Sequence, residues 1–205
     1  METKLEQKPG DLVKVVLYGP ESTGKTTLAR KLAAHYSTEW VPEYAREYLQ
    51  EKWNREQEVC QPEDILPIAR GQMQLENTLA ETANKVLILD TNLLVTKVYS
   101  EAYYDGYVDP LLEKYAVENK YHLYLLTYID TPWVADDLRD RPEQREEMFH
   151  LFKQALKKYK KPFVTLAGAE DERFNEAINL IDKLIEHDQL TGSRPATNNK
   201  PGNKT

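Results

Sequence analysis

The segment Gly19-Pro20-Glu21-Ser22-Thr23-Gly24-Lys25-Thr26 fits the spacing G-x-x-x-x-G-K-[ST]. Each residue type in that pattern answers a need of phosphate chemistry. The glycines let the backbone curl, so that successive N–H groups point inward at phosphate oxygens. A helix starting near Lys25 would add the positive end of its dipole. Lys25 is a point charge for the β- and γ-phosphates, and the Thr26 hydroxyl suits a magnesium ion. Gly19, Glu21, Ser22, Thr23, Gly24, Lys25, Thr26 and Thr27 are therefore the expected ATP-binding set.

A phosphate cradle of this kind also needs an acid near the metal. Asp90 ends the apolar run Val86-Leu87-Ile88-Leu89, which puts it at the carboxyl end of a strand, where open α/β sheets bind ligands. It is expected to contact magnesium with Thr26 or to hold a substrate hydroxyl, and an N-cap role for the next helix is the alternative. Glu43, in Trp40-Val41-Pro42-Glu43-Tyr44-Ala45-Arg46-Glu47, is the candidate base for an acceptor hydroxyl. Pro42 at the first helical position would set Glu43 in the first turn with Arg46 on the same side. A plain electrostatic preference for a helix N-terminus explains Glu43 equally well. A third cluster, Trp133 to Arg145, brings Arg139, Arg141 and Arg145 within seven residues. Guanidinium groups suit the spread charge of a transferring phosphoryl, so Arg139 and Arg145 are assigned to a closing lid and Arg141 to solvent or a nearby acid. A solvated, ion-paired helix end is the alternative.

The elements that must hold these groups can be read from periodicity. Five apolar runs lack the alternation of a one-sided sheet: Leu12–Tyr18, Glu39–Val41, Val86–Asp90, His122–Tyr128 and Phe163–Leu166. Between them lie helical stripes. Leu28, Leu32 and His35 form one. Ile65, Ile68, Ala69, Met73 and Ala80 form another, expected to start near Asp64 with Pro67 in its first turn. Met148, Phe152, Ala155 and Tyr159 come after Pro142, and Phe174 to Ile185 make the last. The expected fold is α/β: a P-loop NTPase three-layer fold, a five-stranded parallel sheet with helices on both faces and an Arg-containing lid. The kinase domain is expected over 1–186, with 187–205 too polar to hold order.

Bulk properties set the outer limits. A chain of 205 residues suits one domain. Its formal charge of −7 disfavours general nucleic-acid binding. Cys60 is the only cysteine, which excludes an intrachain disulfide and a cysteine zinc cluster. No apolar run approaches the roughly 20 residues needed to span a bilayer, and the N-terminus shows no apolar signal core, so a cytoplasmic protein is expected.

Taken in order from about Val13 to Ile185, these segments resemble the ribosylnicotinamide kinase domain of bacterial NadR proteins, in the NadR-like family of P-loop ATPases and kinases. The resemblance rests on Gly19 to Thr27, on Glu43-Tyr44-Ala45-Arg46-Glu47, on Asp90-Thr91-Asn92, and on Trp133-Val134 with Asp137, Leu138 and Arg139. It implies transfer of the ATP γ-phosphoryl, with Mg2+, to the 5′-hydroxyl of nicotinamide riboside. It also implies a nucleoside-like partner held by Trp40, Tyr44, Arg46, Asp90, Asn92 and Trp133, and a kinase domain standing alone. Two positions depart from the family. Pro42 stands where an aromatic precedes the Glu-Tyr pair, with Trp40 the nearest tryptophan, and Asn92 stands where Asp is common. A kinase for another nucleoside, or a nucleotide-dependent switch without an acceptor, stay open. A GTPase switch fits poorly: Leu93 replaces the glycine of D-x-x-G, and His122 replaces the Asp of N-K-x-D. The oligomeric state is not readable.

Overall fold

The computed structural model describes residues 5–134 and 142–192. Strand β1 (Val13–Tyr18) is buried along its whole length, which is why its sequence shows no polar alternation. It lies between β3 (Val86–Leu89) and β4 (Leu123–Thr127), with β2 (Trp40–Val41) and β5 (Phe163–Leu166) outside them. The order is β2-β3-β1-β4-β5, and every pairing is parallel. The chain thus fills one side of β1 and then crosses to the other. The crevice beyond the carboxyl end of β1 is the switch point where such sheets bind ligands.

Alternate β1 side chains enter different cores, as a period of two requires. Val16 and Tyr18 join Leu87, Leu89, Tyr124 and Leu126 in the core shared with α3 (Pro62–Leu79), α4 (Leu93–Tyr103), α5 (Pro110–Glu118) and α6 (Arg145–Lys158). Val13, Val15 and Leu17 join Leu28 and Leu32 of α1 (Lys25–Tyr36) and Ala177 and Ile181 of α7 (Glu170–Gly192). The three-layer parallel architecture expected from the sequence is the observed one. No helix among the described residues is long and apolar enough to cross a membrane.

Several boundaries differ from expectation for local reasons. Helix α3 starts at Pro62, because the Gln61 and Asp64 side chains form a capping box around the first turn. Asp64 is therefore the third helical residue rather than the cap, and Pro67 lies inside the helix, beyond its first turn. Pro142 opens a 3-10 turn, Pro142–Gln144, before α6 begins at Arg145. Helix α7 continues to Gly192, so the expected domain edge at 186 falls within it. Residues 193–205 lie outside the described residues.

Helix α2 (Tyr44–Glu56) starts two residues later than expected: Glu43 is its N-cap residue and Pro42 precedes the cap. Its start is fastened to α3. The Tyr44 N–H donates to Gln72 Oε1 at 2.9 Å, and Gln72 Nε2 donates to the Pro42 carbonyl at 3.1 Å. The Tyr44 ring lies over Gly71, where an added Cβ would come within 2.0 Å of ring carbon Cε1. In an open helix Gly→Ala gains about 1 kcal/mol. Here Gly71→Ala is expected to lose about 1–3 kcal/mol by overpacking, read as a lower urea midpoint. Adding Tyr44→Ala should remove that collision. A raised midpoint in the single variant would mean that the ring is not seated on Gly71.

Candidate active site

The turn after β1 has the shape its glycines predicted. Gly19 has φ 136°, and a Cβ there would meet Thr127 Oγ1 at 2.9 Å and the Thr127 carbonyl at 3.0 Å. Only glycine lets the loop lie this close to β4. Gly24, left-handed at φ 81°, caps α1, whose first residue is Lys25. Ser22 is left-handed as well, at φ 55°, a costly place for a residue with a side chain. It is held there from both ends. The Ser22 carbonyl accepts from Thr131 Oγ1 (2.8 Å) and from Arg145 (3.1 Å), and its Oγ accepts from the Val134 N–H (2.8 Å). Lys25 Nζ donates to the Pro20 carbonyl at 2.7 Å, which holds the ammonium over the loop.

The acid expected at the end of β3 is there. Asp90 is 2% exposed, and its Oδ2 accepts from Thr26 Oγ1 at 2.6 Å. Its Oδ1 is buried with no protein partner. Burial, with the Glu43 carboxylate close by, pushes the Asp90 carboxyl up to about 7, against the pull of Lys25, the Thr26 hydroxyl and Arg30. A hydroxyl and a carboxylate side by side, one oxygen of the pair unpartnered, are hard donors that fit magnesium. Among the described residues no group of three His, Cys, Asp or Glu side chains could hold a metal by itself. An ion here would therefore be shared with phosphate oxygens and water, as magnesium commonly is.

Two cavities open beside this pair. One, of about 560 Å³, is lined by residues 21–27 of the loop together with Arg30, Arg46 and the segment Thr131, Pro132 and Val134. The other, of about 200 Å³, is walled mainly by helices. Glu43 lines both cavities, as do Glu21, Val95 and Tyr99. The smaller cavity is built from stripes at helical spacing: Ala45, Leu49 and Trp53 from α2, Ile65, Ile68 and Gln72 from α3, and Val95, Tyr99 and Tyr103 from α4. The Thr91 hydroxyl, 3% exposed and without a partner, also lines it. Cys60 stands in its wall with burial raising its thiol pKa, which suits an inert residue.

Of the residues singled out in the sequence, the fold gathers Lys25, Thr26, Glu43, Arg46 and Asp90 around one mouth. Four others lie differently from expectation. Trp40 packs on the α1/α7 side of the sheet, beneath Arg30 at 5.2 Å, and lines neither cavity. Tyr44 faces α3. Asn92 is fully buried; its Oδ1 accepts from the Val95 N–H as the α4 N-cap, and its amide donates to Tyr124. Arg145 lies over Trp133 at 5.5 Å and donates to the Thr131 and Ser22 carbonyls, so it braces the loop from outside. Arg139 and Arg141 lie outside the described residues. The sequence reading assigned no site role to Trp53, Thr91, Tyr99 and Arg30, which line the two cavities. The four-residue spacing in α2 and α4 was legible, but such stripes ordinarily mean core.

The parallel sheet, the glycine cradle before α1 and the acid at the end of β3 define a P-loop fold of the kinase kind. The chain belongs to the family described as an AAA domain, which matches over residues 14–173. It is 31% identical over 183 residues to the trifunctional NAD biosynthesis/regulator protein NadR of Salmonella typhimurium strain LT2, covering 88% of this chain and 44% of that protein. The chain thus spans less than half the length of that relative. A crystal structure of NadR protein in complex with NR is similar with a TM-score of 0.75 and 26% identity, over 85% of this chain and 52% of that one. The fold is also that of deoxyadenosine kinase from M. mycoides, at TM-score 0.59 and 14% identity, over 83% of this chain and all of that one. The resemblance to NadR read from the sequence holds in sequence and in structure.

The environment of Asp90 has a measurable consequence. A carboxyl raised to about 7 in the folded protein, against about 3.9 unfolded, stabilises the fold only where it is protonated. That contribution is complete below pH 4 and disappears as pH rises through 7. Asp90→Asn should therefore raise the nucleotide-free protein's stability by roughly 1–3 kcal/mol at pH 8. The gain should shrink toward pH 4. A gain independent of pH, or a loss at pH 8, would contradict the placement of this carboxyl.

Proposed function

We propose that this chain is an ATP-dependent kinase that phosphorylates the 5′-hydroxyl of nicotinamide riboside, giving nicotinamide mononucleotide. The observation that carries the reading is that the phosphate-loop cavity and the helix-walled cavity meet at Glu43, beside Asp90. A donor phosphate and an acceptor hydroxyl could thus face each other across a single carboxylate. The similarity to NadR, including the structure in complex with NR, supports nicotinamide riboside as the acceptor. The walls of the smaller cavity favour it too, since Trp53 and Tyr103 offer ring faces and Glu58 a carboxylate to a positively charged pyridinium.

In this reading the N–H groups of residues 21–26 hold the triphosphate, and Lys25 stabilises the charge gathering on the β–γ bridge. Magnesium, held by Thr26 and Asp90 with the phosphates, would neutralise the β- and γ-oxygens. Glu43 accepts the proton of the acceptor hydroxyl. The acceptor oxygen forms its bond to the γ-phosphorus as the bond to ADP breaks, and the proton stays on Glu43 until product leaves. Thr91 has a free hydroxyl for a ribose oxygen. Arg46, at the mouth, is a cation for the transferred group.

Glu43→Gln keeps shape and removes the base. Turnover is expected to fall roughly 10²-fold or more with ATP affinity little changed, while Lys25→Ala should cost about a thousandfold. If Asp90→Asn shows the first pattern and Glu43→Gln stays active, the base is Asp90.

The acceptor is tested by mass spectrometry of products from a nucleoside panel with ATP and magnesium. Nicotinamide riboside should be preferred over adenosine, cytidine and thymidine; preference for one of these would keep the chemistry and replace the substrate. Trp53→Ala should raise the KM for the riboside about tenfold or more, and Trp40→Ala should leave it near wild type. The reverse result would return the base to Trp40.

A further inference from the structure

Arg173 belongs to none of the motifs read from the sequence, yet its guanidinium makes four hydrogen bonds around the back of the loop. It projects from the first turns of α7 and is 4% exposed. Its Nε donates to the Gly168 carbonyl at 3.0 Å, one terminal nitrogen to the Thr23 carbonyl at 2.9 Å, and the other to the Tyr128 carbonyl at 3.1 Å and to Asp130. The other Asp130 oxygen accepts from the Gly168 N–H at 2.6 Å. One guanidinium thus joins the phosphate loop, the chain leaving β4 and the turn after β5. Burying a charge this deeply costs several kcal/mol unless its donors are matched. An aliphatic side chain would close α7 onto the sheet without that cost.

The bond to Thr23 shows what the charge accomplishes. In a trans peptide the carbonyl and the next N–H point in opposite directions. Holding the Thr23 carbonyl against Arg173 behind the loop therefore turns the Gly24 N–H toward the phosphate side. The preceding peptide is set the same way, by Thr131 and Arg145 on the Ser22 carbonyl. Gly24, at φ 81° and with no atom near a would-be Cβ, has little else to fix that plane.

We propose that Arg173, backed by Asp130, is a positioning residue that presets the 23–24 peptide for a nucleotide phosphate. This goes beyond the kinase reading and needs only that the loop binds a nucleoside triphosphate. The ligand class is a triphosphate with magnesium, whatever the acceptor.

The test measures direct binding of ATP and of its non-hydrolysable analogue AMP-PNP, with magnesium and no acceptor. The variants are Arg173→Gln, Arg173→Lys and Asp130→Asn, each first shown folded by circular dichroism. Arg173→Gln is expected to weaken nucleotide binding about 10- to 100-fold, as loss of a preorganising donor does. Arg173→Lys keeps the charge without the fork and should fall between it and wild type. Asp130→Asn should act in the same direction more weakly, and less than additively with Arg173→Gln. In turnover assays the ATP KM should rise while the riboside KM stays within about twofold. Folded variants that bind nucleotide within twofold of wild type, whatever their melting temperature, would overturn the proposal. If Arg173→Gln does not fold, Arg173→Lys and Asp130→Asn decide by the same criterion. Because binding is read without an acceptor, a protein inactive on the riboside leaves the inference standing.

Discussion

An N–H group offered to a phosphate always has a carbonyl behind it, pointing away. A loop that collects several inward N–H groups must therefore find donors for those carbonyls on its outer side. Here they come from Thr131 and Arg145 on Ser22, Arg173 on Thr23, and the Leu28 N–H on Gly24. These partners belong to the chain leaving β4, to α6, to α7 and to α1. They can converge only because β4 pairs with β1 in the sheet. The strand order is in this sense a requirement of the cradle's outer surface.

On the other side of β1 the problem is reversed, since carboxylates rather than carbonyls must be tolerated. Asp90 and Glu43 approach one another in a poorly solvated corner, and the Thr26 hydroxyl relieves only one oxygen of the pair. A fold selected for stability alone would neutralise this corner. In the proposed kinase reading this corner is the stability–activity trade-off expected of a site that would receive a cation and a proton.

The sequence disclosed most of the architecture, because buried parallel strands read as uninterrupted apolar runs and the phosphate loop has a strict spacing. β5 matched residue for residue, and the other strands lay within the expected runs with their ends trimmed. The misreadings have physical causes. Pro67 suggested a later start for α3, whereas the capping box of Gln61 and Asp64 outweighs it. Trp40 looked like a ring for the acceptor because it is near Glu43 in sequence, but a strand residue next to Val41 must face the opposite side of the sheet. The Trp53 and Tyr103 stripes have the spacing of core faces, and only the fold shows that the space between them is a cavity. Arg173 carried no signal at all. A single arginine at the start of a charged helix looks like solvent-facing decoration until the turns it joins are brought together.

Glu21, Glu43, Ala45, Leu49, Val95 and Tyr99 line both cavities, but the braces behind the phosphate loop come from elsewhere. The side-chain braces on the Ser22 and Thr23 carbonyls come from beyond β4 in the chain, whereas the walls of the smaller cavity come mainly from α2, α3 and α4. Substitutions in those three helices can reshape the smaller cavity without touching those braces. Such a layout would let one scaffold take different small molecules through a few side chains at four-residue intervals. The braces that shape the phosphate loop would stay as they are.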